Sequence, residues 1–326
     1  MAVYTSEIRA QAGTQSAYTT SVTPTIALRG IEEMPLKSAN KIEVIGDMTQ
    51  ALAGGDTAIT NELAGAGTFK GWASYDHLPY FWDNLFSQAT ASGSSPYVRT
   101  YAAPTTARST PRVLTLVKGD GTVGAYKLTG ALQTDFTLKV ETAKRVEISG
   151  SLIGTGLAAT TLASLSANAV TPIQASHVST VKMDSWAGTM GTTALTNCDV
   201  RFLELMIKPD RVHRMCLGIL TAGDYVEKPW QGSLKMSLQF NATSKTDIDL
   251  FVAGLSQRQV EFILTTGSTQ IMKIQFAGTL TNDVEVFRDD DGVATVDFEL
   301  TRTYHPTFAN WIKVTHTNTI STAAMV

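Results

Sequence analysis

The residues able to do chemistry are few, and none forms a working set. The densest group is Asp289-Asp290-Asp291-Gly292. Adjacent carboxylates attract cations, but a calcium loop of the EF-hand kind needs ligands at alternating positions. The turn 148 residues earlier, Glu141-Thr142-Ala143-Lys144, is not acidic, so the cluster reads as a solvated hairpin turn. The five histidines, His77, His177, His213, His305 and His316, show no metal-ligand spacing among themselves. His213 and Cys216 lie three apart beside Arg211 and Arg214, which reads as an interface loop and not a metal or redox site. His77 is expected at the surface, in the first turn of a helix. No G-x-S-x-G elbow supports a Ser-His-Asp hydrolase. The glycine-rich run at 53–67 contains neither GK[ST] nor G-x-G-x-x-G, so it reads as a flexible assembly loop and not a phosphate cradle. Phe81, Trp82 and Phe86 could stack bases, but a helix packing on its own sheet accounts for them. Trp230 and Trp311 read as interface residues. No enzyme, metal or cofactor is expected.

Composition narrows the class further. The 326 residues carry 26 basic and 29 acidic side chains, a net charge of −3, and only 17% are charged, against roughly 25% in ordinary soluble domains. Each half has 13 basic residues when the chain is cut after residue 165, against 13 and then 16 acidic ones. Neither half is a basic module for gripping phosphates. No apolar run approaches the roughly 20 residues of a membrane span, and the first 20 residues lack an apolar signal-peptide region. Cys198 and Cys216 suggest a reduced history and not a disulfide framework. Thr, at 46 residues, favours strands. Low charge with much Thr, Ala and Ser suits an assembly subunit.

The elements follow from periodicity. Residues 1–35 read as a polar arm. Strands are expected at 41–46 and 68–74, separated by the Gly- and Ala-rich stretch 47–67. A helix is expected at 76–88, with Asp76 as N-cap and Pro79 in its first turn; Leu78, Phe81, Trp82, Leu85 and Phe86 share one face. Residues 89–110 are Ser-, Thr- and Pro-rich and read as a loop. A strand at 113–118, a KGDG turn at 118–121 and GAYKLTGALQ make a hairpin. FTLKV (136–140) and RVEISGSL (145–152) alternate. Residues 154–175 read as a linker. The second half repeats the plan: a strand at 199–207, a long excursion at 208–232, the strictly alternating SLKMSLQF, a helix at 245–257, then hairpin strands up to VATVDFELTRTY. At a lag of 148, Gly130 meets Gly278, Leu132 meets Leu280, Asp135 meets Asp283, and SVTPT meets AVTPI. The helices align nearer 169, the difference being the 89–110 stretch, present once. One lag holding across three segments in the same order argues for a tandem duplication. Its units would be 36–153 and 176–304, with a terminal tail at 305–326.

This pattern resembles the two-domain tail tube (major tail) proteins of long-tailed, non-contractile bacteriophages. The resemblance is carried by GTQSAYTTSVTPTIALRGIEEMPL, GWASYDHLPYFWDNLFSQA, YKLTGALQTDFTLKVETAKRVEISGSLIGTGLA, CDVRFLELMIKPD and VATVDFELTRTY. It implies a mainly β fold: two tandem β-sandwiches, each with one short flanking helix, whose inner strands join a closed barrel across subunits. It implies stacked rings of three chains and six domains, a virion location after assembly in the host cytoplasm, and no membrane. The implied partners are further copies, a tape-measure protein, a tail terminator and tail-tip proteins, with DNA passing through unread. A lumen for DNA should be polar and neutral to acidic. Lys127, Thr129, Thr137, Glu147, Gln275, Glu285 and Thr295 are its expected lining, with Lys139 a local exception. The interrupting stretches 47–67 and 208–232 are expected to reach the next ring through Asp56, Glu62, Arg211, Arg214, Tyr225 and Trp230. Two other classes fit the composition: another phage ring or decoration protein, or a carbohydrate-binding β-sandwich with an exposed aromatic platform.

Overall fold

A computed structural model describes residues 8–45, 57–166, 169–195, 199–254, 256–281, 287–290 and 292–321. The described chain is mainly β, with two α-helices and a large antiparallel sheet system. Strands β1 (Arg9–Thr14), β2 (Ile26–Ala27), β3 (Ile31–Glu33) and β4 (Leu36–Ser38) lead to a hairpin of β5 (Lys41–Ile45) and β6 (Thr57–Glu62). Then come β7 (Gly65–Trp72), α1 (Leu78–Leu85), β8 (Tyr97–Ala102), β9 (Leu114–Asp120), β10 (Gly124–Glu141), β11 (Glu147–Gly154) and β12 (Gly156–Thr160). The second half runs β13 (Val178–Ser185), β14 (Ala194–Leu195), β15 (Val200–Lys208), a hairpin of β16 (Arg211–Arg214) and β17 (Asp224–Glu227), and β18 (Gln231–Gln239). It ends with α2 (Ala242–Val252), β19 (Gln257–Thr265), β20 (Ile271–Leu280), β21 (Arg288–Asp290), β22 (Val293–Arg302) and β23 (Ile312–Asn318).

One pairing order occurs twice. In the first half β1, β9, the start of β10 and β12 lie side by side, as do β4, β7, β11 and the end of β10. In the second, β13, β19, β20 and β23 repeat the first order. β15, β18, β22 and the end of β20 repeat the second. The 18-residue β10 serves both groups, so it must bend. Gly130 sits at φ +67° with no room for a Cβ, which would lie 2.5 Å from the Tyr18 carbonyl. A register shift between Gln133 and Asp135 adds a bulge.

Helix α1 is wholly buried, so amphipathicity does not describe it. Its apolar side packs Trp82 on Phe136 at 4.7 Å and Phe81 on Phe69 at 4.9 Å. Its polar residues are buried with partners. Asp83 accepts from Arg112 Nε at 2.9 Å. Asn84 donates to the carbonyls of Arg112 (2.7 Å) and Ala131 (2.9 Å) and accepts from Gln133 N (2.8 Å). These bonds tie the helix end to the bend of β10.

Several expectations are corrected. Residues 9–33 contribute three strands and are not an irregular arm. The Gly- and Ala-rich stretch contributes β6, and β7 begins within it, because Gly65 and Gly67 allow Leu128 and Leu36 to pack against the backbone. The Ser- and Pro-rich 89–110 contains β8, where Tyr97, Val98, Arg99, Thr100 and Tyr101 form a strand paired with β23. The expected linker contains β12, and the terminal tail contains β23, which pairs with both β20 and β8. The α1 N-cap is His77 without a side-chain cap, while Asp76 accepts from Thr171 N at 2.7 Å. His77 is buried, not superficial, and its Nδ1 lies 3.1 Å from the Arg29 carbonyl. The second helix ends at Val252, five residues early.

His316 on β23 supplies a pH dependence. It is fully buried, Nε2 donates to the Tyr75 carbonyl at 2.7 Å, and its register partner is the buried Arg99. Burial lowers its pKa to about 4; the Tyr75 carbonyl opposes the shift and the Arg99 charge adds to it. The unfolded chain takes up this proton near pH 6.5, so stability present above that pH is lost as pH falls toward 4, by roughly 3 kcal/mol. Denaturant unfolding of His316→Gln beside the parent protein checks this: the parent's advantage should shrink by that amount between pH 7 and 4. Parallel pH profiles would contradict it.

Candidate assembly interface

The two halves are joined by a strand seam. The edge of β10 from Phe136 to Glu141 pairs with β15, running from Phe136↔Ile207 to Glu141↔Phe202. β23 pairs with β8 to make a second join. The first seam is head-to-tail: β10, late in the first half, meets β15, the second-half counterpart of β4. Among the described residues the corresponding edges elsewhere carry no second strand: β4 pairs with β7 alone and β21 with β22 alone.

Over this seam the β16–β17 hairpin folds onto the first half through Arg211, whose side chain has no exposure. A guanidinium has five N–H donors in a fixed fork. Nη1 donates to the carbonyls of Asn84 (2.7 Å) and Gln133 (3.1 Å). Nη2 donates to the Leu85 carbonyl (2.6 Å) and Ser109 Oγ (3.0 Å), and Nε to Glu227 Oε1 (2.8 Å). Asn84 and Leu85 close α1, so the cation stands where the helix carbonyls concentrate negative potential. Glu227 also accepts from Ser109 N at 3.0 Å and from its hydroxyl. Burial alone would raise the Glu227 pKa, but the Arg211 charge and the Ser109 and Arg211 hydrogen bonds hold it below the ordinary carboxylate value. Arg108 bonds Asp224 and lies 4.5 Å from the Tyr225 ring centroid, fixing the same hairpin from its other side.

Three residues expected to reach outward from this hairpin therefore face inward. Arg211 is buried as described. Tyr225 lies 5.7 Å from Tyr18 and donates to the Ser109 carbonyl, and Trp230 lies 5.5 Å from Phe86. Trp311 is likewise buried, edge-on to Phe276 at 5.7 Å. Arg214 is exposed near Asp224, at 3.9 Å. Glu62 is buried and paired with Lys41. Asp56 lies outside the described residues. The exposed apolar side chains gather on the hairpins and their loop: Ile42 (63% exposed), Val44 (62%), Val212, Leu217, Ile219 and Val226. Leu63 N donates to the Leu220 carbonyl at 2.7 Å, which brings the two hairpin regions together.

The outward face of the seam sheet is polar. Register places Glu147, Lys139, Glu204, Lys235 and Glu299 in one row across β11, β10, β15, β18 and β22. The signs alternate across both halves, and cross-strand pairs of this kind contribute roughly 0.2–1 kcal/mol each. Lys139 is thus one rung of an alternating row. Thr137 and Glu147 lie on this face. Lys127, half-buried and donating to Ser21 Oγ at 2.9 Å, and Thr129 lie on the part of β10 paired with β12. Gln275 donates to Glu261 on β19 at 2.7 Å. Thr295 is fully buried, its hydroxyl donating to the Arg288 carbonyl at 3.2 Å, because β21 covers it. Glu285 lies outside the described residues. Sequence reasoning missed Glu204, Lys235 and Glu299, although each alternates with core residues on its own strand.

Among the described residues no group of three or more His, Cys, Asp or Glu side chains could hold a metal ion. Asp289 Oδ1 accepts from Gly292 N at 2.7 Å, an ordinary turn contact, and Asp291 lies outside the described residues. His213 is half-buried with Nδ1 3.2 Å from the Tyr18 hydroxyl, and Cys216 is exposed.

Replacing Arg211 by Ala leaves Glu227 buried without its cation, so unfolding free energy should fall by about 3–5 kcal/mol. Arg211→Lys, which keeps the charge but loses the fork, should fall less. Denaturant titration checks both; a loss under about 1 kcal/mol for the alanine variant would mean that the hairpin does not depend on this residue. No protein-family model matches the chain, and no curated protein matches it.

Proposed function

We propose that this protein is a structural tail tube subunit of a long-tailed bacteriophage, built of two tandem β-sandwich units. Three copies close head to tail into a six-unit ring, and rings stack into a hollow tube through which DNA passes unread. The observation that carries this reading is the β10·β15 seam together with its two counterparts, the edges of β4 and β21 that have no second strand among the described residues. An edge left open invites another strand, and a head-to-tail contact repeated by rotation gives a ring. The seam inside the chain is a template for the contact between chains.

Two further features support it. The alternating charge row keeps the outward sheet face polar and close to neutral, which suits sliding of a polyanion better than a basic lining would. The exposed apolar hairpin residues suit burial between stacked rings. Tape-measure, terminator and tail-tip proteins are the partners this role requires. In the β4–β7 ladder the Pro35 carbonyl accepts from Thr68 N, so by alternation the Ser38 amide points away from β7. Ser38→Pro should keep the parent's circular dichroism and thermal midpoint yet sediment as a single chain, while the parent sediments as rings or tubes. Equal sedimentation of both as polymers would contradict the edge-pairing role of β4.

A further inference from the structure

We infer that Lys41 of one copy holds the C-terminal end of α2 of its neighbour, as Arg211 holds the end of α1 within the chain. The inference rests on the ring reading above and names the side chain that locks its joint.

The two hairpins are built alike at their bases. Arg211 opens β16 and is in register with Glu227, which closes β17. Lys41 opens β5 and is in register with Glu62, which closes β6. Both are ion pairs, and both glutamates are nearly buried. The cations differ. The Arg211 side chain is 0% exposed and that of Lys41 is 74% exposed. The strands before them explain the difference. β15 pairs with β10, which carries its hairpin over α1. Among the described residues β4 pairs with β7 alone, so no second strand carries its hairpin over a helix end as β10 does for β16–β17.

The helices point the same way. Neither α1 nor α2 has a basic residue in its last turn. α1 receives its cation from Arg211 through the carbonyls of Asn84 and Leu85. α2, at the matching place after β18, ends at Val252, which is 82% exposed. A cation near the last turn of a helix is stabilising. An ammonium has three donors; with one directed to Glu62, two remain for terminal carbonyls. The smaller donor set fits, because Ser109, which takes one Arg211 bond, lies in the 89–110 stretch, and only four residues separate α2 from β19.

Cross-linking tests this in a Cys198→Ser, Cys216→Ser background. Lys41→Cys and Val252→Cys are made as separate proteins, mixed, assembled and treated with a short bis-maleimide. A two-chain product should form from the mixture and from neither protein alone, and a doubly substituted protein should give a closed three-chain product. In parallel, in a Glu62→Gln background, which leaves no buried carboxylate without its cation, Lys41→Gln should keep the thermal midpoint of the single chain but raise the concentration needed for assembly about tenfold or more, and Lys41→Arg should restore it. Normal rings or tubes without cross-linking, and unaffected by Lys41→Gln, would overturn the Lys41 contact and leave the ring reading standing. Absence of any ring or tube from the parent protein would overturn both.

Discussion

An unpaired strand edge must be joined, covered or spoiled, and that constraint organises this molecule. β10 meets it by belonging to two sheets in turn. Its first part is held between β9 and β12, and its last part between β11 and β15. The change of sheet requires the left-handed Gly130 and the bulge near Gln133. It also leaves backbone polar groups at the bend, which Asn84 satisfies from the end of α1. Helix, bend and seam thus depend on one another.

Arg211 closes that arrangement. Its five donors meet five acceptors contributed by α1, β10, the segment before β9 and its own hairpin. A buried cation is costly unless fully paired, and here pairing is complete, so the joint has one geometry. On the outward face of the same seam the alternating row from Glu147 to Glu299 crosses from one half to the other without a break in sign order. One strand pairing thereby sets both a rigid joint and a face of near-neutral charge.

Much of the strand content was legible because one face of each strand is buried. SLKMSLQF alternates so strictly that β18 could be placed to within a residue or two, and the Asp120 turn announced the β9–β10 hairpin. Other strands were hidden for identifiable reasons. β8 is embedded among Ser and Pro, and its buried Arg99 breaks the apolar pattern, being held by Asn318 Oδ1 at 2.9 Å. β12 has one large apolar residue, Leu157, among small ones, and β23 is rich in Thr, with His316 buried among them. Asp83 and Asn84 fall outside the apolar face that the helix periodicity reveals, and their burial depends on Arg112 and on a bend far along the chain. Arg211, read as part of an interface loop reaching the next ring, is buried by partners of the same kind. Burial of a charge is decided by partners brought from elsewhere, and neither spacing nor periodicity records them.

Electron microscopy of the concentrated protein in negative stain separates a ring-forming subunit from a lone chain. A tail tube subunit gives hollow particles whose end-on averages show six similar lobes contributed by three chains, stacking axially into tubes. Solid, discrete single-chain particles without a lumen at every concentration would contradict it.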